Sequence, residues 1–264
     1  MNDKAIVFVV DSKYVDYARL AIKDVWNASG GRVPVYLLAA GDIDGPMIKD
    51  LSCLQVDNDI DMKMIPLRNN EQFYAKECGI AHITRTAYAK LLLAKLLPKH
   101  IKFAYYFDID ILVMKDISSL FDIEPEKSIC VADHRAEDEF VRLHGRGGRY
   151  INTGVFVANL TRWRELEVEK KAAEVLDSGL YKILWPDQDL MSIIFDNDWE
   201  ELPLEYNFML SATFNPHIEN CGDLDWDKTK VDPAIVHFLG PSKPWGNLND
   251  KHSHRIWRDR FAQV

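Results

Sequence analysis

Short, wholly apolar runs alternate with helical patterns along this chain of 264 residues. The first run, residues 5–10, is apolar at every position and ends at Asp11, which is typical of a strand buried on both faces. A helical pattern follows over residues 14–26, and the next apolar run covers residues 35–40. This alternation predicts an α/β fold, in which helices cover both faces of a mostly parallel, Rossmann-like sheet.

The same alternation continues toward the end of the chain. We expect further strands near 62–66, 129–132, 155–158 and 235–239, and helices near 47–54, 84–97 and 190–195. Thr161 is expected to cap a helix that runs to Asp177. The polar, glycine-containing segment 134–149 predicts a mobile loop over the site, and 207–229 a loop-rich stretch. Without a visible linker, we expect one domain over 1–264, ending in a helix at about 252–262.

An acidic pair interrupts the apolar stretch from residue 105 to residue 115. Asp108 and Asp110 are two residues apart, so on an extended chain their carboxylates point the same way, at the end of a buried strand. Two like charges at one buried point are costly unless a cation lies between them. Mg²⁺ or Mn²⁺ that carries a phosphate would meet this need. The alternative is a surface turn, or pairing of these aspartates with nearby Lys or Arg.

Other chemically active side chains also fall at the ends of predicted strands, where ligands bind in open α/β sheets. They include Asp11, Asp133 and His237. Neutral His237 could be a third metal ligand, or simply a histidine whose hydrogen bonds are satisfied at a strand end. Beyond it, Gly240 would let the backbone approach a ligand closely, and Lys243 could place a point charge on a diphosphate.

Composition limits the partners and the location of the protein. The formal net charge of −9 argues against non-specific binding of nucleic acid, which needs a broad basic surface. Four widely spaced cysteines give neither a zinc pattern nor a disulfide scaffold. The first residues lack a signal-peptide layout, and no apolar stretch is long enough to span a bilayer. We therefore expect a cytoplasmic protein.

In their order along the chain, the motifs resemble those of the family 8 glycosyltransferases. These are retaining enzymes that include glycogenin and bacterial lipopolysaccharide galactosyl- and glucosyltransferases. The matching motifs are Asp11 with Tyr14, Tyr88-Ala-Lys90, Phe107-Asp-Ile-Asp110, Tyr150-Ile-Asn152-Thr-Gly154-Val155 with Asn159-Leu160, Asp187-Gln-Asp189 and His237-x-x-Gly240-x-x-Lys243-Pro-Trp245. The resemblance implies a GT-A fold, a UDP-sugar donor, Mn²⁺ (or Mg²⁺), and an oligosaccharide, glycolipid or glycoprotein acceptor.

The resemblance also implies a role for each matched residue. Asp108, Asp110 and His237 would be the metal ligands, and Asp187 and Gln188 the catalytic residues beside the sugar. Binding of the nucleotide sugar would involve Asp11, Tyr14, Lys90, Asp108, Ile109, Asp110, Asp133, Asn152, Thr153, Gly240 and Lys243.

Two of these positions depart from the usual family pattern. Ile109 stands where Ala is common, and we expect its side chain to point away from the metal. Thr153 replaces a usual Ala near the sugar and leaves the identity of the donor sugar open.

The expected chemistry is attack on the same face of the sugar from which the phosphate leaves. Gln188 is a poor nucleophile, so we expect the leaving phosphate to assist deprotonation of the acceptor, with Asp187 orienting the sugar. Two other functions stay open: an aspartate-nucleophile phosphatase or phosphotransferase that uses Asp108, and a non-catalytic nucleotide-sugar-binding protein.

Simpler interpretations exist for two further features. The acidic residues near Asp187 also suit an ordinary helix start. The C-terminal segment, 252–260, mixes basic residues with Trp257, and Phe261 follows it. We expect these aromatic side chains to pack onto the domain; weak peripheral contact of this segment with an anionic membrane is the alternative.

Overall fold

The described part of the structure, a computed structural model, comprises residues 2–40, 45–67, 85–134, 136–210, 232–240, 243–246 and 252–264. Its strands are β1 (Lys4–Asp11), β2 (Val35–Ala40), β3 (Met62–Leu67), β4 (Phe103–Phe107), β5 (Ile111–Val113), β6 (Ile129–Asp133), β7 (Ile151–Asn159), β8 (Trp199–Glu201), β9 (Phe208–Leu210) and β10 (Ile235–Phe238). The runs predicted as strands are all confirmed.

Helices connect and cover these strands. The α-helices are α1 (Val15–Ala28), α2 (Gly45–Asp57), α3 (Leu93–Leu96), α4 (Glu137–His144), α5 (Leu160–Glu165), α6 (Val168–Ser178), α7 (Pro186–Ile194) and α8 (His252–Phe261). Short 3₁₀ helices cover Arg85–Leu92, Ser118–Asp122 and Leu204–Tyr206.

The main sheet has seven strands in the order β3-β2-β1-β4-β7-β6-β8. Strand β7 runs antiparallel to both of its neighbours, and the other pairs in this sheet are parallel. The predicted mostly parallel sheet is therefore confirmed. Because β7 is reversed, its first residues lie at the same edge as the carboxyl ends of β1, β4 and β6.

Side chains alternate between the two faces of the main sheet, as the period of two in a strand requires. On β1, Val7 packs in a cluster that contains Trp163 of α5, whereas Phe8 packs in a second cluster with Val25 of α1. All four of these side chains are buried. Helices thus cover both faces of the sheet, as predicted.

A smaller sheet, in the order β5-β10-β9, was not expected from the sequence. Strand β5 begins directly after the acidic pair, and β10 pairs with it antiparallel so that His237 lies opposite Ile111. The N–H of Phe238 donates to the carbonyl oxygen of Asp110 at 2.9 Å. This register is what brings His237 next to the two aspartates. Strand β9 begins within the segment predicted as loop-rich, most of which (residues 211–229) lies outside the described residues.

The predicted helix over 84–97 is largely wrong in type. Residues Arg85–Leu92 form a 3₁₀ helix, and only Leu93–Leu96 are α-helical. Every residue from Tyr88 to Leu93 is buried, including the charged Lys90. Where all sides of a segment are buried, packing rather than propensity decides how tightly the chain winds.

The prediction of a mobile loop over 134–149 is also wrong, because this segment contains helix α4. Acidic residues occupy its first turn, Arg142 and His144 its last turn, and Gly145 ends it with a left-handed φ of 65°. All three features stabilise helix ends. The buried side chains of Phe140 and Leu143 hold α4 on the domain.

The predicted cap at Thr161 is wrong by two residues. Asn159 is the N-cap of α5, and its side chain accepts a hydrogen bond from the backbone N–H of Arg162 at 3.2 Å. The predicted single helix is two helices, separated at Glu167, whose φ of 50° is left-handed.

The C-terminal helix lies where the sequence predicts it, and Trp257 packs it onto the domain. Trp257 is 1% exposed, stacks on Phe261 and lies in one cluster with Leu20 of α1 and Val236 of β10. Among the described residues, no helix combines the length and the apolar composition that crossing a bilayer requires.

Replacing Trp257 with Ala should lower the free energy of unfolding by about 3–5 kcal/mol, because the surroundings of a deleted buried aromatic side chain relax only partly. Urea titration followed by circular dichroism measures this. The matched control is Asp259→Ala on the exposed side of the same helix, with an expected change within about 0.5 kcal/mol. Equally small losses for both variants would contradict the docking of α8.

Candidate active site

Three side chains of the right kind for a divalent cation converge at the carboxyl end of β4. One ligand atom each from Asp108, Asp110 and His237 lies within 4.8 Å of the others. The Nε2 atom of His237 is 3.4 Å from Asp110 Oδ1 and 3.9 Å from Asp108 Oδ2. The structure thus brings together the three residues that the resemblance implied as metal ligands.

Gly154 shapes this cluster through its backbone. A Cβ atom at this position would lie 1.9 Å from Cε1 of His237, so only glycine leaves room for the imidazole. The carbonyl oxygen of Gly154 also accepts a hydrogen bond from the N–H of Asp108 at 2.7 Å. One glycine at the start of the reversed strand β7 therefore positions two of the three candidate ligands.

Lys243 neutralises one of the two aspartates. Its ammonium donates to Asp110 Oδ2 and, at 2.8 Å, to the carbonyl oxygen of Phe238. Burial raises the pKa of Asp110, but Lys243 and His237 together outweigh burial and hold that pKa well below its usual value. The carboxylate therefore stays ionised. Its second oxygen, Oδ1, is buried and accepts no hydrogen bond within the described part of the chain.

Lys90 neutralises the other aspartate and joins it to Asp187. The Lys90 ammonium lies 3.0 Å from Asp108 Oδ1 and 2.6 Å from Asp187 Oδ2, and it donates to the carbonyl oxygen of Thr153 at 3.1 Å. Burial lowers the pKa of Lys90, but the charges of Asp108 and Asp187 outweigh it and raise the pKa above its usual value. Lys90 is therefore a permanently charged link between the candidate metal site and Asp187.

Asp187 does more than stabilise the start of α7. Besides the contact with Lys90, its Oδ2 accepts a hydrogen bond from the hydroxyl of Thr153 at 2.8 Å. At the start of this helix, the backbone N–H groups of Leu184 and Trp185 donate to Oδ2 of Asp189 at 2.7 and 3.0 Å. The contacts of Asp187 with Lys90 and Thr153 go beyond an ordinary helix start, and Thr153 holds its carboxylate in place.

Gln188 is bound to Asn152. The amide nitrogen of Asn152 donates to Gln188 Oε1 at 3.2 Å, and Asn152 is 2% exposed. Because the amide oxygen of Gln188 already accepts a hydrogen bond, its nucleophilicity is reduced further. The two candidate catalytic residues thus sit side by side, each held by a residue of β7.

The residues expected to contact the nucleotide follow β1 and β10. The carboxylate of Asp11 accepts the N–H of Lys13 at 3.0 Å, and the carbonyl oxygen of Asp11 accepts the N–H of Tyr14 at 3.1 Å, which fixes the turn after β1. The ring of Tyr14 lies 5.8 Å from that of Trp245, which stacks on Tyr17 at 4.5 Å. This aromatic contact joins the turn after β1 to the segment that carries Lys243.

The remaining predicted residues lie around this centre. Asp133 ends β6 and accepts a hydrogen bond from Arg149 Nε at 2.7 Å. Gly240 follows β10 with a φ of 74°, a conformation that favours glycine. Ile109 packs against the cluster that contains Phe107, which agrees with the expectation that it points away from the metal.

Several residues at this site escaped the sequence analysis. Tyr106 donates its hydroxyl hydrogen to Asp108 Oδ1 at 2.7 Å. Asn207, which is fully buried, lies within hydrogen-bond distance of His237.

Arg142 of α4 donates a hydrogen bond to Asp189 at 2.8 Å and so connects α4 to α7. The hydroxyl of Tyr150 bonds the same carboxylate. Only Tyr150 and Asp189 stood within a recognised motif, and neither carried a predicted role.

The cluster fits a hard divalent cation. Mg²⁺ and Mn²⁺ prefer carboxylate oxygens, and imidazole suits the transition metals. Asp110 Oδ1, which is buried and accepts no hydrogen bond from the described residues, lies 3.4 Å from Nε2 of His237, whose ring fills the space beside Gly154. Two partly buried carboxylates with a histidine nitrogen facing them are the expected ligand set for such an ion.

Known proteins share this fold. A crystal structure of galactosyltransferase LgtC, in complex with donor and acceptor sugar analogs, matches with a TM-score of 0.84 at 24% identity, over 98% of this chain and 96% of that one. This likeness shows that the chain has the GT-A fold. The chain belongs to the family described as Glycosyl transferase family 8, which it matches over residues 5–249.

Curated relatives include proteins from several bacteria. General stress protein A of Bacillus subtilis is 29% identical over 197 residues, which cover 72% of this chain and 68% of that protein. Lipopolysaccharide 1,2-glucosyltransferase of Escherichia coli is 24% identical over 257 residues, covering 91% and 72%. Glycosyltransferase GlyB of Streptococcus pneumoniae is 26% identical, and the chain spans 61% of its length.

Replacing Lys90 with Met should destabilise the protein by about 3–5 kcal/mol, because it leaves the partly buried carboxylates of Asp108 and Asp187 without their shared, buried cation. Burial already raises the pKa of Asp108, and loss of Lys90 removes the charge that most opposes this rise. A raised carboxyl pKa favours folding only while the group is protonated. The deficit should therefore be largest at neutral pH and shrink as the pH falls toward that pKa.

Urea titrations of the metal-free protein between pH 5 and pH 8 measure this dependence. Lys115→Met is the control, because Lys115 forms its 2.9 Å pair with Asp232 at the surface, where such a pair is worth at most about 1 kcal/mol. A loss for Lys90→Met no larger than that of the control, or one that grows on acidification, would contradict the proposed neutralisation.

Proposed function

We propose that this enzyme transfers a hexose from a UDP-sugar to a glycan-type acceptor with retention of configuration. Asp108, Asp110 and His237 would hold Mn²⁺ or Mg²⁺. The observation that carries the proposal is the convergence of this triad with Lys243 and Lys90 at the carboxyl edge of the sheet. Family membership supports the reaction class, and the relative named as a lipopolysaccharide glucosyltransferase supports a hexose donor.

The charges of the site suit departure of a diphosphate. As the bond between the anomeric carbon and the phosphate oxygen breaks, its electron pair goes to the phosphate. When bound, the divalent cation would neutralise that charge. Lys243 is already held beside Asp110, from where its ammonium can turn to a phosphate oxygen. Lys90 stays charged in the buried site and offsets the negative charge of Asp108.

Same-face attack is the mechanism that these contacts support best. Lys90 and Thr153 both contact Oδ2 of Asp187, and Asn152 donates to the oxygen of Gln188, and these contacts lower the nucleophilicity of both side chains. The acceptor oxygen would bond to the anomeric carbon on the face that the phosphate leaves, and its proton would pass to the departing phosphate. Asp187 and Gln188 would orient the sugar. A glycosyl adduct isolated on Asp187 or Asp133 would overturn this mechanism.

The acceptor is proposed only as a class: the glycan of an oligosaccharide, glycolipid or glycoprotein. A cytoplasmic location and weak contact of α8 with an anionic membrane stay predictions. Among the alternatives, the site does not support an aspartate-nucleophile phosphatase, because Asp108 is already bonded by both Tyr106 and Lys90. Turnover of a UDP-sugar would distinguish an enzyme from a non-catalytic binding protein.

A transfer assay tests the proposal. UDP-glucose, UDP-galactose and other UDP-hexoses are incubated with Mn²⁺ or with chelator, and UDP release is measured with water or a glycan panel as acceptor. Release that requires the cation, and a product whose anomeric proton signals show the configuration of the donor, support the proposal. An inverted product, or release of phosphate from a phosphorylated enzyme, would refute it.

Replacing Asp110 with Asn should lower kcat/KM by roughly 100-fold or more, because charge stabilisation by a bound metal is worth several kcal/mol. In this variant, UDP with Mn²⁺ should no longer raise the melting temperature of the protein. Asp122→Asn, at an exposed position of a 3₁₀ helix, is the control and should match the unaltered enzyme in both assays. If Asp110→Asn retained both properties, Asp110 would not be a metal ligand.

A further inference from the structure

A network of side-chain amides lies directly behind the candidate metal ligands. It consists of Asn152 and Asn207, both buried, which connect Gly154 to His237. The direction of every hydrogen bond in it follows from a single backbone group, and that direction determines which nitrogen of His237 carries its hydrogen.

The backbone N–H of Gly154 fixes the orientation of Asn152. A backbone N–H can only donate, and it lies 3.1 Å from Asn152 Oδ1, so this atom is the amide oxygen. The nitrogen of Asn152 then faces Nδ1 of His134 at 3.0 Å. Burial, followed by the nearby His237, lowers the pKa of His134 to about 4, so at neutral pH the ring is uncharged, and an uncharged ring can accept a hydrogen bond at Nδ1. The contacts at both ends of the Asn152 amide therefore indicate the same orientation.

The orientation of Asn152 fixes that of Asn207. The oxygen of Asn152 can only accept, and it lies 2.9 Å from Asn207 Nδ2, which therefore donates. The other end of Asn207, Oδ1, lies 3.0 Å from Nδ1 of His237. Because an amide oxygen can only accept, Nδ1 of His237 must carry the hydrogen.

A neutral imidazole with its hydrogen on Nδ1 has its lone pair on Nε2. This is the nitrogen that faces Asp110 at 3.4 Å and Asp108 at 3.9 Å. We propose that Asn207 is a positioning residue, which holds His237 as the Nδ1–H tautomer and aims the Nε2 lone pair at the cation site. Hydrogen bonds of this kind to the second nitrogen of a ligating histidine fix its tautomer and ring orientation. The inference rests on the proposed metal site.

Nitrogen NMR of the histidine side chains tests the tautomer without metal. The chain has eight histidines, so the signals of His237 are identified by their loss in a His237→Asn variant. In metal-free protein at pH 8.5, roughly two units above the pKa of an ordinary imidazole, we expect Nδ1 of His237 to be protonated. An unprotonated Nδ1 in the unaltered protein would overturn the inference, whatever the variants below show.

Two substitutions then test the role of Asn207. Asn207→Ala removes the acceptor, so the hydrogen can move to Nε2, and the affinity for Mn²⁺ in the presence of UDP should fall by roughly 10–100-fold. Asn207→Asp keeps an acceptor oxygen beside Nδ1 but replaces the donor to Asn152 Oδ1 with a second acceptor, so it should keep Nδ1 protonated and lose less affinity than Asn207→Ala, at a cost in stability. Calorimetric titration measures the affinity. Unchanged affinity in Asn207→Ala, with Nδ1 still protonated, would contradict the positioning role.

The matched control is Asn159→Ala. Asn159 also makes two side-chain hydrogen bonds, to the carbonyl oxygen of Pro125 and from the N–H of Arg162, but on the cap of α5. It should lose stability without losing affinity for Mn²⁺. If the unaltered protein bound neither Mn²⁺ nor UDP, the proposed function would fail, while the tautomer measurement would still decide the orientation of His237.

Discussion

The partial burial of two carboxylates at one point is the constraint on which the rest of the site depends. Asp108 and Asp110 follow strand β4, which is buried at every position but its first, and uncompensated like charges there are costly. The fold supplies Lys90 for one and Lys243 for the other, and turns His237 toward both. Even so, one oxygen of Asp110 accepts no hydrogen bond within the described residues, which is the feature that a cation would correct.

Two departures from a simple parallel sheet make this arrangement possible. The reversed strand β7 brings its first residues to the ligand-binding edge of the sheet. There the carbonyl oxygen of Gly154 accepts a hydrogen bond from the N–H of Asp108, and the missing side chain of Gly154 leaves space for the ring of His237. The second sheet then places His237 across from the start of β5. The candidate metal site therefore lies where the two sheets meet, and its candidate ligands come from backbone segments that are fixed on both sides.

Local sequence patterns predicted the strands, the layers and the acidic pair, because these leave a signal within a few residues, whereas most other site residues were implied by the family resemblance. Local patterns could not predict Asn207, whose contacts with Asn152 and His237 span 55 and 30 residues. The 3₁₀ conformation of the segment around Lys90 was not predicted either, because a segment that is buried on all sides shows no apolar stripe with a helical period. Helix α4 was different: Gly145 and the charges at both helix ends were a signal that its polar composition obscured.

The most direct test of this account is a crystal structure of the protein with Mn²⁺ and UDP, measured at an X-ray energy where manganese scatters anomalously. The account predicts one strong anomalous peak, within bonding distance of Asp108, Asp110 and Nε2 of His237, with the diphosphate beside Lys243. A peak bound by other residues, or bound UDP with no anomalous peak near the two aspartates, would contradict it.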